Sequence, residues 1–425
     1  MPKIDIRTNP RLPKMAWLAE LNEDAAHFLC GTEVKQFDTG VFEGGWSLTD
    51  TPARCDPRGI YAGSGLFFSE GSWKIVAPTQ TTDRVYVVTF SGRKVVSNSL
   101  ACALVASEMS SIELGQIRGL WSSVQGLDKY ARTLFHQGDK KINAYTYGIT
   151  ELNNHSEVRH TPTYQFKRYE DYRDFLTGTL SDIHATAETQ KYAAYLSSGY
   201  DSVACASLMK HLGGGLTMSV TKGRQGRDDS GAPIAEALGL PNITITAKDR
   251  HTITDERGHM HTVFGPHDVF DIGEFGLGTG LQDAPLKVDS SHVRSKVVLT
   301  GFHGDKVWDK HAEPSDDIKR GDSSGTGFYE YRLRTGFVHV VVPMLGALQH
   351  RQINAISNSP EMTPWSVGNQ YDRPISRRMA EELGVPRHLF GQKKNAVAAQ
   401  AVEYDSVKEL YFAFIRNRYL EALYS

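Results

Sequence analysis

The segment with the clearest chemical content is Ala193-Ala194-Tyr195-Leu196-Ser197-Ser198-Gly199-Tyr200-Asp201-Ser202. An apolar run enters a turn of small residues, and a helix opens after it. Such a turn aligns successive backbone amides, and the helix start adds the positive end of its dipole. The hydroxyls of Ser197, Ser198 and Ser202 are further donors. Together they read as a cradle for an anion, and for a phosphate in particular. Asp201 would repel a bare phosphate, so its presence implies Mg²⁺ or a neutralising base beside it.

A second run, Val298-Leu299-Thr300-Gly301-Phe302-His303-Gly304-Asp305-Lys306, repeats the design: apolar residues, a small-residue turn, then an acid. Asp305 is a second candidate for holding Mg²⁺. His303 could polarise a phosphate or act as a base, or could be an ordinary turn histidine. Further on, Tyr371-Asp372-Arg373-Pro374-Ile375 precedes Gly391-Gln392-Lys393-Lys394. Lys393 and Lys394 form a basic pair there, which on its own reads as a solvated lysine pair.

These segments carry a family resemblance. Residues 197–202 resemble the SGGxDS pyrophosphate loop of the N-type ATP pyrophosphatases, with Ser198 where that family has its first glycine. Residues 298–306 resemble the SGEGxDE segment of the asparagine synthetase family, with Phe302-His303 interrupting it and Lys306 in place of the glutamate. Residues 371–394 resemble the C-terminal region of that family. The resemblance implies an α/β fold: a parallel-sheet PP-loop domain, similar to the adenine nucleotide alpha hydrolases. It implies ATP and Mg²⁺ as cofactors, with Leu196, Ser197, Ser198, Gly199, Tyr200, Asp201, Ser202, Val220, Gly301 and His303 around the nucleotide. Asp201 and Asp305 would hold the metal, and Asp305, Lys393 and Lys394 would act in catalysis, Lys393 being the preferred lysine. The implied activity is an AMP- and pyrophosphate-forming ligase. A carboxylate attacks the α-phosphorus of ATP, and an amine then displaces AMP to form an amide. Two alternatives stay open. One is a 7-cyano-7-deazaguanine synthase-like or tRNA-modifying enzyme on the same loop, although the cysteine patterns of those enzymes are missing. The other is a nucleotide-binding subunit without catalysis.

The elements that must position these residues fall into two textures. Residues 1–165 read as short β segments punctuated by glycine, among them Val85–Phe90 and 93–97, with a helix at 100–107. From residue 166 the pattern alternates: helices at 169–184, 204–212 and 232–238, strands at 192–196, 216–220 and 243–245. That alternation predicts a parallel sheet with helices on its faces. Residues 345–425 are expected to be largely helical, with interruptions at Pro360, Pro364, Pro374 and Pro386. Residues 313–327 read as a mobile loop, either a lid or a plain insertion. The predicted domains are 1–165 and 166–425.

In the asparagine synthetase family the N-terminal domain is often a glutaminase whose nucleophile is the cysteine after the initiator Met. Here residue 2 is proline and the first cysteine is Cys30. Glutamine hydrolysis of that type is therefore not expected. A degenerate Ntn-type domain and an unrelated β domain both suit residues 1–165. The amine would come as free ammonia, as a small-molecule amine or from the substrate itself.

Composition bounds the rest. The 425 residues carry 47 Lys+Arg and 49 Asp+Glu, a net charge of -2, which disfavours binding nucleic acid through charge alone. No apolar stretch approaches a membrane span, and the first residues lack the apolar core of a secretory signal. The four cysteines form no CxxC pair and read as structural thiols. The expected setting is the cytoplasm. The expected partners are a small-molecule or peptide carboxylate and an amine donor, with a homo-oligomer left open. His251, His259, His261 and His267 read as loop histidines rather than a metal site. The basic run at 222–227 reads equally as a phosphate contact or a solvated loop.

Overall fold

The computed structural model describes residues 2–106, 124–127, 131–152, 157–220, 228–245, 250–254, 260–264, 283, 286, 288–315, 317–320 and 324–392. Lys393, Lys394, His259, His267 and the basic run at 222–227 lie outside the described residues. His251 and His261 fall on a two-stranded antiparallel ribbon, Arg250–Thr254 with Met260–Phe264.

The N-terminal half stacks two sheets face to face. A seven-stranded sheet runs in the order Lys3–Thr8, Ala25–Cys30, Trp17–Leu21, Arg93–Ser97, Val85–Phe90, Lys140–Tyr145, Ala131–Gln137. Its pairs are antiparallel except the first. A six-stranded antiparallel sheet runs Glu157–Arg159, Gly148–Glu151, Ser72–Val76, Ile60–Ser69, Gly40–Ser47, Lys35–Phe37. Alternate residues of the first sheet, Trp17, Ala19, Leu21, Val85 and Val87, share one core with Val41, Leu66, Trp73 and Ile75 of the second. This is the period of two expected of strands packed on one face. The residues between them, Leu18, Val88 and Val95, point outward and pack with helix Leu100–Ala106. On the far side, helix Tyr169–Thr186 lies on strand Gly40–Ser47. The approach is so close that a Cβ on Gly45 would stand 2.4 Å from the Ile183 carbonyl oxygen. The layers therefore run helix, sheet, sheet, helix.

The second half is built on a five-stranded parallel sheet in the order Asn242–Ile245, Gly215–Val220, Lys191–Tyr195, Lys296–Thr300, Val338–Val341. Strands buried on both faces are near-continuously apolar, as Lys-Val-Val-Leu-Thr and Val-His-Val-Val are here. Chain order along the sheet is 3-2-1-4-5. The direction of winding thus reverses between Lys191–Tyr195 and Lys296–Thr300, and sheets of this kind form a crevice at the carboxyl ends of such a strand pair. Helix Tyr200–His211 follows the first strand and ends before Gly213 and Gly214, at φ 98° and 93°. The C-terminal region, where described, is broken into short helical pieces, as its prolines lead one to expect. Its described part holds two short helices, His350–Ser357 and Pro374–Glu381, with 3-10 turns at Pro360–Trp365 and Arg387–Leu389. Pro360 and Pro374 open segments and Pro364 lies within a 3-10 turn, so a continuous α-helix is broken at each. Residues 313–327 are pinned where described: the Gly325 and Gly327 amides donate to the buried Asp283 carboxylate at 2.9 and 3.0 Å. Among the described residues no helix is long and apolar enough to cross a membrane.

Buried polar groups lock the halves together. Arg332, 2% exposed, donates to both Glu43 carboxylate oxygens at 2.8 and 2.9 Å and to Asp83 Oδ1 at 2.8 Å. Burial alone would raise Asp83, but the Arg332 guanidinium outweighs it and holds the carboxyl below its usual value. Gln80 donates to the His339 carbonyl and accepts from the Val341 amide, both at 3.0 Å. Glu330 accepts from Ser99 Oγ at 2.9 Å.

Burial pushes the Glu330 carboxyl up to about 7 and pulls the His160 and His339 imidazoles down to about 4. Folded Glu330 keeps a proton that the unfolded chain releases, so its contribution to stability is lost as pH rises from about 4.5 to 7. The two buried histidines refuse protons that the unfolded chain takes up, so their contribution grows as pH rises from about 4 to 6.5. Two rising terms outweigh one falling term. Glu330→Gln should therefore steepen the gain in stability between pH 4.5 and 6.5 by up to about 1.4 kcal/mol per pH unit. Urea melts at a series of pH values test this; parallel curves for variant and wild type would contradict it.

All four cysteines are reduced and buried. Burial raises the Cys30 and Cys55 thiols to about 12, and those of Cys102 and Cys205 also rise. The native protein should accordingly resist thiol reagents at neutral pH and react at all four sites once denatured. Stoichiometric labelling of even one thiol in the native state would show that burial does not protect it.

Candidate functional site

At the winding reversal lies a cavity of about 240 Å³, and the two sequence-marked turns form its floor. Strand Lys191–Tyr195 ends there, with the Leu196 amide still donating to the Met218 carbonyl at 2.8 Å. The next residues tie the loop to itself. The Ser197 amide donates to Ser202 Oγ at 3.1 Å, the two hydroxyls lie 3.0 Å apart, and the Gly199 amide donates to Ser197 Oγ at 3.2 Å. Gly199 then caps helix Tyr200–His211 in an extended conformation. The loop thereby presents the first turn of the helix, Asp201 and Ser202 included, to the cavity.

The second turn is pressed against the first. A Cβ on Gly301 would come 2.5 Å from the Asp201 carbonyl carbon, and one on Gly304 would come 2.4 Å from Asp201 Oδ1. Only glycine leaves room for this approach. Between them His303, 1% exposed, holds φ 68°, a left-handed conformation that histidine tolerates better than most residues. Asp305 follows, in the first turn of helix Gly304–Val307, and lines the cavity. Thr300 Oγ1 lies 2.8 Å from Nε2 of the buried His339, which fixes the end of the strand.

Nine of the sequence-marked residues line this cavity: Leu196, Ser197, Gly199, Asp201, Ser202, Val220, Gly301, His303 and Asp305. Two others have side chains committed elsewhere. Ser198 donates to Asp229 Oδ1 from its amide at 3.2 Å and from its hydroxyl at 2.5 Å. Tyr200 is fully buried beneath Arg377, whose guanidinium lies 5.0 Å from its ring and donates to its hydroxyl. The Tyr200 ring also packs against Tyr371 and Phe390. A Tyr after the loop glycine, on the first residue of a helix, gives no sequence sign of which way its ring will turn.

Two functional-looking residues emerge only in three dimensions. Asp229 lines the cavity and anchors Ser198. Arg373 lines the cavity and pairs with Asp201. Burial alone would lower the Arg373 guanidinium, but Asp201 and Tyr371 outweigh it and hold it above its usual value. Met218, Val220, Leu286 and Phe302 give the wall its apolar part, beside Tyr195, Thr300, Ser324 and Tyr371. A second cavity of about 310 Å³ shares Asp305 with the first and runs under Glu313 and Ser315.

Among the described residues no three His, Cys, Asp or Glu side chains gather into a metal cage. Asp201 and Asp305 are the two carboxylates on the cavity wall besides Asp229. That donor set suits Mg²⁺, which is commonly held by one or two carboxylates together with substrate phosphates and waters. It does not suit a closed zinc site. Compared with known proteins, the sequence matches no family profile and no curated relative.

Proposed function

We propose that the protein is an ATP-dependent, AMP- and pyrophosphate-forming ligase of the asparagine synthetase type, adenylating a carboxylate for amide bond formation. The observation that carries this is the convergence of two strand-end turns, 196–202 and 300–305, on one cavity that holds Asp201, Asp305 and Arg373. On this reading the parallel-sheet half is a PP-loop domain, and the helix–sheet–sheet–helix order of the first half supports a degenerate Ntn-type domain before it.

The residues divide the work. The amides in the first turn of helix Tyr200–His211 and the hydroxyls of Ser197 and Ser202, already positioned by the loop, would donate to phosphate oxygens. Met218 and Val220 offer an apolar wall to the base. Asp201 and Asp305 would hold Mg²⁺, which neutralises charge on the phosphates and orients them. A substrate carboxylate oxygen then attacks the α-phosphorus, the bond to the bridging oxygen breaks, and pyrophosphate leaves. An amine displaces AMP from the resulting acyl group. Lys393, with Lys394 beside it in sequence, is the proposed cation for the leaving charge. The acid and amine are small molecules or peptide groups.

A second reading is a nucleotide-binding subunit without turnover. It is favoured by the Asp229 carboxylate, which already occupies the Ser198 amide in the loop. Phosphorus NMR separates the two. With Mg²⁺, ATP and a metabolite extract, the enzyme reading expects AMP and pyrophosphate, absent with an Asp201→Asn control. ADP and phosphate would sink the adenylation reading, and nucleotide binding with no turnover would favour the second.

A further inference from the structure

We infer that Arg373 is a phosphate-binding residue of this cavity, whose guanidinium exchanges the Asp201 carboxylate for a phosphate oxygen when nucleotide binds. The inference rests on the nucleotide reading above and adds to it a residue that the lysines at 393 and 394 had seemed to make unnecessary. Arg373 stands at the start of helix Pro374–Glu381, with its side chain 2% exposed. Its Nη1 pairs with Asp201 Oδ1, and its planar group lies 5.1 Å from the Tyr371 ring. Its Nε is buried and, among the described residues, has no hydrogen-bond acceptor. The closest carboxylate oxygen recorded for it, Asp309 Oδ2, stands off at 4.0 Å.

A buried guanidinium with an unmatched N–H is costly unless a ligand completes it. The geometry of its donors fits the paired oxygens of a phosphate. The cavity that Arg373 lines is also lined by Ser197, Gly199 and Ser202, so an anion held by the loop would face the guanidinium. The same contact constrains Asp201. While Oδ1 pairs with Arg373, the guanidinium offsets the carboxylate charge that would draw a divalent cation, so the ion pair keeps the carboxylate charge-balanced. A nucleotide arriving with its cation reverses both preferences at once: the cation draws Asp201, and the phosphate draws Arg373.

Two titrations test this, one with Mn²⁺ alone followed by electron paramagnetic resonance, the other with the Mg²⁺ complex of α,β-methylene-ATP. Arg373→Met should lose affinity for the analogue by about 10- to 100-fold, the range expected for hydrogen bonds to a charged group. The same variant should bind Mn²⁺ alone more tightly than the wild type, because Asp201 has lost its counter-charge. Arg373→Lys, which keeps the charge without the fork, should weaken analogue binding while leaving Mn²⁺ binding unchanged. Near-ultraviolet circular dichroism checks the fold; if the methionine variant does not fold, the lysine variant decides alone. Analogue affinity equal to wild type in the variants that fold would reduce Arg373 to a structural counter-ion and overturn the inference by itself. A wild type that fails to bind the analogue would overturn the nucleotide reading, and this assignment with it.

Discussion

An Arg332→Met variant should lose about 3–5 kcal/mol of folding stability, the usual consequence of removing one partner from a buried ion pair. Arg332 answers two carboxylates, Glu43 and Asp83, both fully or almost fully buried. Without the guanidinium these two acids stay in the interior with like charges facing the same gap. A second set of variants separates the loss of a partner from the loss of packing. Glu43→Gln and Asp83→Asn, added to Arg332→Met, should recover much of the deficit, because neutral groups tolerate burial that charges do not. Urea denaturation gives both numbers. A single-variant loss below about 1 kcal/mol would place the triad among ordinary surface pairs and refute the interior role assigned to it.

Asp201→Asn and Asp305→Asn should each cut formation of AMP and pyrophosphate by about a hundred- to a thousandfold, the scale of losing one preorganised charge-stabilising group. Asparagine keeps the size of each side chain and leaves Arg373 an oxygen to meet. Turnover should therefore collapse in both variants, while stability changes little for Asp305→Asn and falls for Asp201→Asn, which leaves the buried Arg373 without its counter-charge. The measurement is initial rate of pyrophosphate release with the acid substrate identified by fractionation. Turnover within about tenfold of wild type in either variant would remove that residue from the charge-handling set.

Sequence alone carried the β-rich texture of the first half and the strand–helix alternation of the second, because both are written in local pattern. Apolar runs such as 191–196 and 296–300 ending in small residues are strand ends whatever surrounds them, and the observed strand and helix bounds differ from those expected by only a few residues over most of 169–245. The cavity followed from the same signals, since the two marked turns are the two that meet. What sequence could not reveal is partnership across distance. Arg373 meets Asp201, and Arg332 meets Glu43 and Asp83, from positions far apart in the chain. No spacing rule links them. Side-chain direction within the loop was also hidden: Ser198 turns to Asp229, and Tyr200 turns under Arg377. In the described part of the C-terminal region the interruptions expected at the prolines are seen at 360, 364 and 374, where amides that a continuous helix needs are missing.

Helix Tyr169–Thr186 has an owner on each side. Thr186 and Asp182 bind the strand of the first half, through the Trp46 amide at 2.8 Å and the Ser47 hydroxyl at 2.7 Å. Tyr172 and the Leu180 carbonyl meet Trp308 and Tyr192 of the second half, at 3.0 and 3.1 Å. A gene shortened to the second half would strip one flank of this helix and leave Arg332 facing no acid. The first half thus has a structural duty toward the second, and a replacement for it would have to reproduce that contact surface.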